Sequence, residues 1–490
     1  MLYKKINTRP GFTPLTIICF LIVMVGGRFF WNIAMESDLT ITTLSSSSRM
    51  INSIFGAVIT AMALIITLAS NLYTPGIVKL FVRHPIVVVG LSYIVGTNFV
   101  IVLGDLFNKD NEYYMFMLHL EVILSCIAIA GVIPFLYYVS QFLRPSYFLP
   151  QLYTVVEKSH ADLMNGYDKD KNYRRVFDSI DTIANISLTA GRRDDRQLMC
   201  LVSDMLHKCL LEVMKSPKDA QWRRDFYRSK PGHSADVKQF LCANNTWPEA
   251  YIFNVFGNIL KSVNAHQNEV INETCEHLLI TLKNAIDTNN RLVAEMHIMF
   301  FNRLNELAIE QRDYERIQSL SQFFISTTEM LGEEKELLEL SFMSWFHYAQ
   351  DTYRKDIHFG YETYLYDSGH LLLDYAKQSE ESSCRIFNSW IKGFWNEAIE
   401  DQGKHEMVAY KVAVKTYWQA KTKNFNTLAQ LIHENFLENE SHHRLILKEI
   451  LKFKSPMHWS FSDRLLRFNH LPTAARKSAT KFLEVPDIAS

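Results

Sequence analysis

The chain has 490 residues, enough for about two to four domains, and a formal net charge of −1. That balance excludes nucleic-acid binding by an overall basic field. Residues of hydrophobic type make up 48% of the chain, ordinary for a soluble protein, so any membrane part must be local. The seven cysteines, Cys19, Cys126, Cys200, Cys209, Cys242, Cys275 and Cys384, show neither a CxxC nor a paired spacing. They read as reduced, mostly buried thiols rather than a disulfide or zinc framework. With only 18 glycines and 13 prolines, and few alternating β-branched runs, the chain reads as all-α.

Four apolar runs come first, at residues 13–35, 51–73, 86–106 and 114–139. Each is near the ~20 residues a helix needs to cross a hydrocarbon core. The first is long and carries Phe29, Phe30 and Trp31 toward its end, aromatics suited to a headgroup-level anchor rather than a signal-peptide cleavage site. Four transmembrane helices are therefore expected within residues 1–145. Basic residues set their orientation. Lys4, Lys5 and Arg9 precede the first run, while Lys79 and Arg83 lie between the second and third. The other two loops are acidic, with Glu36 and Asp38, then Asp105, Asp110 and Glu112. The alternation places both termini in the cytoplasm.

The link after the second run, with Tyr73, Thr74, Pro75, Lys79 and Arg83, is thus a cytoplasmic corner. Pro75 stops the helix, and the two cations hold the short amphipathic turn at the inner surface. Small and polar residues form stripes within the runs: Gly56, Thr60, Ala63, Thr67, Ser70 and Asn71 in the second, and Gly90, Thr97, Asn98 and Gly104 in the third. Such stripes serve either close helix packing or the lining of a water-filled path. His119 and Glu121 lie about two turns into the fourth run, where a central charge costs at least ~2.5–3.5 kcal/mol. The candidate polar path is Thr60, Thr67, Asn71, Thr97, Asn98, His119 and Glu121.

From about residue 146 to 490 the chain reads as successive amphipathic helices, with a possible division near 217–247. Apolar residues recur at three and four, as at Val176, Ile180 and Ile183. Breaks are expected at Gly191, Pro217, "SKPGHSAD", "NNTWPE", Gly332, "YDSGH" (with Gly369) and "KSPMH". Stacked helix pairs or an irregular bundle fit this pattern, and no fixed period is legible. In "GRRDDR", Gly191 is expected to end one helix and Asp194 to cap the next. His442 and His443 sit on a polar, acidic turn and read as solvated. No phosphate-cradling loop, HExxH or GxSxG occurs, so no catalytic residue, metal or cofactor is assigned and an enzyme is not expected.

The block from Ser47 to Leu103 resembles a bacterial family of four-span inner-membrane proteins of unknown function. Ser70, Asn71, Tyr73, Thr74 and Pro75 match that family's turn, and Gly96-Thr97 its glycine–threonine pair. His119 matches a histidine near the start of its fourth span. "FLYY" stands where the family carries two histidines, and Gly76 where it carries arginine. "LTAGRRDD" keeps the glycine and the aspartate of its later turn as Gly191 and Asp194, with Ala190 and Asp195 in place of prolines. The resemblance covers residues 13–215 and implies topology, not activity. Two functions follow from the residues together: a homo-oligomeric channel or transport protein with a cytoplasmic helical regulatory domain, or a membrane-anchored helical scaffold that binds other proteins. In the first, Thr60, Thr67 and Asn71 line the path and Glu121 favours cations. Lipid, further copies of the chain and a protein partner are the expected contacts, without nucleic acid.

Overall fold

A computed structural model describes residues 41–72, 78, 81–82, 84–106, 112–141, 144–220, 222–223, 235–263, 268–332, 334–400, 405–454 and 470–484. Among them the regular structure is helical and no strand occurs. The chain divides into two compact units, one of residues 1–155 with 181–189, the other of residues 156–180 with 190–490.

In the first unit, α1 (Ile41–Leu72), α2 (Pro85–Leu106) and α3 (Glu112–Gln141) pack pairwise, followed by α4 (Pro145–Met164). Three stretches, Ile51–Ala69, Ile86–Leu103 and Ile123–Gln141, are long and apolar enough to cross a membrane. They correspond to three of the four expected spans; the first, at 13–35, lies outside the described residues. Ile51, Val58, Met62 and Ala69 form the buried side of α1, and Val87, Ile94 and Ile101 that of α2. Their spacings of four and seven are those of one helix face. Leu64, Val89, Phe99 and Ile133 remain exposed, as apolar groups facing lipid would be. Gly90 lets α2 approach α3, because a Cβ there would lie 2.6 Å from the Phe135 ring.

The second unit holds the rest of α4 and of α5 (Lys169–Arg192), then α6 (Arg196–Met214), α7 (Ala235–Asn244), α8 (Trp247–Ser262), α9 (Asn268–Asp287), α10 (Arg291–Glu310), α11 (Tyr314–Leu331), α12 (Lys335–Arg354) and α13 (His358–Gln378). After these come α14 (Glu380–Ile386), a π-helical turn (Phe387–Ile391), α15 (Lys392–Glu400), α16 (Glu406–Thr422), α17 (Asn426–Phe436), α18 (Glu440–Leu451) and α19 (Thr473–Glu484).

A period is present. Helices α8, α10, α12, α14 and α17 start at 247, 291, 335, 380 and 426, steps of 44, 44, 45 and 46 residues. Helices α9, α11, α13 and α16 start at 268, 314, 358 and 406, steps of 46, 44 and 48. Each helix packs on the one a repeat away: α6, α9, α11, α13, α16 and α18 form one layer, and α8, α10 and α12 part of the other. This is a helical-repeat stack, whose core is continuous across neighbouring pairs.

The period is carried by the turns. Asp194, Asn245, Asn289, Arg312, Asp356 and Asn424 all hold positive φ, between 52° and 63°. At each, the next residue's N–H donates to a carbonyl five positions back, as from Asp195 to Ala190 (3.1 Å), Asp313 to Ala308 (3.0 Å) and Phe425 to Ala420 (2.9 Å). That is the Schellman closure of a helix C-terminus. Five of the six positions are Asp or Asn, whose side chains tolerate the left-handed conformation well; only Arg312 departs.

Two expected breaks fall differently. Gly369 lies inside α13, not at a turn, because α16 passes too close to admit a side chain there. Gly191 lies within the last turn of α5, and a Cβ there would meet Ser262 Oγ at 2.2 Å. Packing, not chain reversal, sets both glycines.

Candidate functional site

The candidate path residues are divided by the first unit rather than gathered. Thr60 and Thr67 lie on exposed positions of α1 and donate to carbonyls of their own helix, Gly56 O at 2.8 Å and Ala63 O at 2.8 Å. Asn98, half-buried, donates to Ile94 O at 3.2 Å. Thr97 is only 2% exposed and donates to Tyr93 O at 2.9 Å. Glu121 is 1% exposed, and its backbone carbonyl accepts from Ser125 Oγ at 2.6 Å. Thr97 and Glu121 are therefore interior, while Thr60 and Thr67 face outward. A hydroxyl bonded to its own helix satisfies itself, so these threonines need no aqueous partner.

The most apolar stretch of α3, Ile123–Gln141, begins two residues after Glu121. Asn71 and His119 are backbone positions of α1 and α3. Tyr73, Thr74, Pro75, Lys79 and Arg83 lie outside the described residues.

At the other end of the same helices is a cluster that motif reading missed. Tyr147 of α4 donates its hydroxyl to that of Tyr138 on α3 at 2.9 Å, and the Tyr138 hydroxyl lies 2.9 Å from Nε2 of His84. The N–H of Ile86 donates to Nδ1 of His84 at 3.4 Å. Burial lowers the pKa of His84. The three side chains join the start of α2 to the end of α3 and the start of α4. The signals were the His-Pro pair ahead of α2 and the tyrosine pair of "FLYY".

In the second unit the turn at 191–196 is built one residue along from expectation. Asp195, not Asp194, caps α6, accepting from the Leu198 N–H at 3.0 Å. Asp194 supplies the left-handed residue, φ 59°.

A buried polar knot follows. Arg223 donates through Nη1 to both oxygens of Glu249 (2.7 and 2.9 Å) and to Asn245 O (3.1 Å). Through Nη2 it reaches Val213 O (2.7 Å) and Ser216 O (3.3 Å). Beside it, His160 binds Ser216 Oγ through Nε2 and Glu212 Oε1 through Nδ1, the latter at 3.0 Å. This Ser–His–Glu order is that of a hydrolytic triad. Its members are nevertheless closed off, with His160 1% and Ser216 5% exposed, and Trp222 stands edge-on to the His160 ring. Burial lowers the His160 pKa against the pull of Glu212. The knot fastens α4, α6 and α8 rather than presenting a nucleophile.

The two adjacent histidines also differ from expectation. His443 is buried and accepts from Trp418 Nε1 at 3.1 Å, with Phe482 stacked on its ring. Helix α18 turns that side inward, which a single acidic neighbourhood does not reveal. Among the described residues no group of three or more His, Cys, Asp or Glu could hold a metal ion.

No family model, curated protein or solved structure matches the chain.

Proposed function

We propose that this protein is a membrane-anchored helical-repeat scaffold that holds a protein-binding surface at the inner face of the cell membrane. The observation that carries the reading is the stack of helix pairs, each packed on its neighbour one repeat away. Such stacks present extended surfaces that exceed what folding alone requires. The membrane helices then serve as the anchor, and the outward threonines, bonded to their own carbonyls, serve packing.

Affinity capture with the full-length chain, in parallel with a chain whose spans are exchanged for unrelated ones, tests the proposal. The same specific partner in both supports the scaffold. No specific partner in either overturns it.

A second reading, a homo-oligomeric channel or transport protein related to the four-span family, is favoured by one observation: Glu121 and Thr97 are buried within the first unit. Purified protein in liposomes should then pass ions, and Glu121→Gln should alter which ions pass. Flux that is absent, or unchanged in selectivity by Glu121→Gln, removes this reading or that role of Glu121 respectively.

A further inference from the structure

The cluster of His84, Tyr138 and Tyr147 has a direction. The Tyr147 hydroxyl donates to the Tyr138 oxygen at 2.9 Å, which leaves the Tyr138 hydrogen for the His84 ring. Both ring nitrogens are within reach of that hydroxyl, Nε2 at 2.9 Å and Nδ1 at 3.1 Å. A second donor comes from the backbone, where the Ile86 N–H faces Nδ1 at 3.4 Å. The ring therefore serves as an acceptor. Only neutral imidazole can do so, since imidazolium carries a hydrogen on both nitrogens.

His84 is also the N-cap of α2. Its carbonyl accepts the Val88 N–H at 3.0 Å, and its own N–H donates to Phe81 O at 3.0 Å. Pro85 takes the first helical position, where no N–H is needed, and Ile86 the second. A charged ring at this end would face the Ile86 N–H donor and the positive end of the helix dipole together.

We propose that His84 is a proton-sensitive latch: as a neutral acceptor it ties the start of α2 to the end of α3 and the start of α4, and as imidazolium it lets them part. The inference goes beyond the scaffold reading and does not depend on what the repeat surface binds.

The titratable groups facing the ring are Tyr138 from α3, with ring centroids 5.3 Å apart, and beyond it Tyr147 from α4, whose ring stands edge-on to Tyr138 at 6.0 Å. Arg144, just ahead of α4, is exposed, and its backbone N–H donates to Gln141 O at 3.0 Å. The three side chains of the latch are half-buried. That burial lowers the His84 pKa, in the same direction as the loss of its acceptor role would.

The sign follows. The closed latch holds a neutral ring, so it binds a proton less tightly than the open one. Closure is fully present above 6.5, the ordinary value, and is lost as pH falls from there through the lowered value of the closed latch. Below that value the effect levels off.

Hydrogen–deuterium exchange of the full-length protein in detergent, from pH 8 to 5 and corrected for intrinsic exchange, tests the latch. In peptides from the start of α2 and from the junction of α3 with α4, opening should stay constant above 6.5 and rise below it by up to about tenfold per pH unit. His84→Gln, which keeps an uncharged acceptor at every pH, should give a flat profile. A wild-type profile that is itself flat overturns the proposal, as does a slope that persists in His84→Gln. NMR of the labelled imidazole nitrogens should show His84 charging in the same window, and a ring that charges while exchange stays constant overturns the latch equally. Should His84→Gln fold poorly, His84→Asn, whose side chain also offers an uncharged acceptor at an N-cap, is read in the same way.

Discussion

Gly369 on α13 and Thr416 on α16 meet so closely that a Cβ on the glycine would stand 2.3 Å from Thr416 Oγ1 and 3.0 Å from Val412 Cγ1. Two neighbouring helices of one layer touch there at backbone distance. A β-branched threonine locked in a buried helix has little freedom to move aside. Gly369→Ala should therefore cost about 1–3 kcal/mol despite alanine's better helix propensity. Adding Thr416→Ala should recover part of the loss. Urea unfolding of the single and double variants checks both outcomes, and a stabilised Gly369→Ala contradicts the close packing.

Arg223 and Glu249 are each about 1% exposed at the side chain. A buried ion pair adds little net stability, but removing one partner strands the other. Arg223→Ala should cost about 3–5 kcal/mol, more than any surface charge, because carbonyls of Val213, Ser216 and Asn245 also lose their donor. Replacing both residues by apolar ones of similar volume should be much milder. Denaturant midpoints of the single and double variants decide this.

The caps are separable from the turns they adjoin. Asp195 accepts from Leu198 N–H and Asp313 from Arg316 N–H at 3.1 Å. Each Asp→Ala change should cost about 1 kcal/mol. Asp194→Gly, at φ 59°, should be tolerated or slightly stabilising, since glycine adopts that backbone without steric cost. If Asp194→Ala and Asp195→Ala are equally harmless, the capping assignment is wrong.

Three buried histidines set the acid side of the stability profile. Burial lowers His207 to about 4, aided by the stacked His277. Burial lowers His297 to about 3, and it lowers His443 to about 4 with help from His433. Each is neutral when folded and charges more readily when unfolded. Their stabilisation is complete above the ordinary 6.5 and is lost as pH falls from there toward 4. Between pH 6.5 and 5, each site can contribute up to about 2 kcal/mol of loss. Thermal unfolding at pH 7.5 and 5.0 should show the fall, and His297→Gln should reduce it. A profile insensitive to His297→Gln contradicts its neutral burial.

Helix content was legible because it is local. The runs at 51–73, 86–106 and 114–139 are apolar over the right length whatever they pack against, and Val176, Ile180 and Ile183 mark a face through spacing alone. Asn245 and Gly332 could be read as breaks because left-handed or unwound backbone prefers such residues. Gly369 could not, since a glycine required by a neighbouring helix looks the same in sequence as one required by a turn. The bonding of the threonine stripe was hidden for a related reason: an i, i+4 stripe of threonines reads the same whether its hydroxyls face water or bond their own helix.

What the sequence alone determined is the kind of element and where three apolar helices lie, because periodicity and length act within one helix. The repeat required the tertiary structure. Its register is held by contacts between residues 42 to 47 apart, such as Asn302 with Ser344 and Gln350 with Glu397, between side chains of no common type. Any apolar residue of suitable volume can fill an equivalent core position, so the period survives in helix lengths and turns while the residues diverge. The tertiary structure likewise decided that Asp195 caps α6 and that His443 is buried, because each depends on which face a neighbouring helix covers.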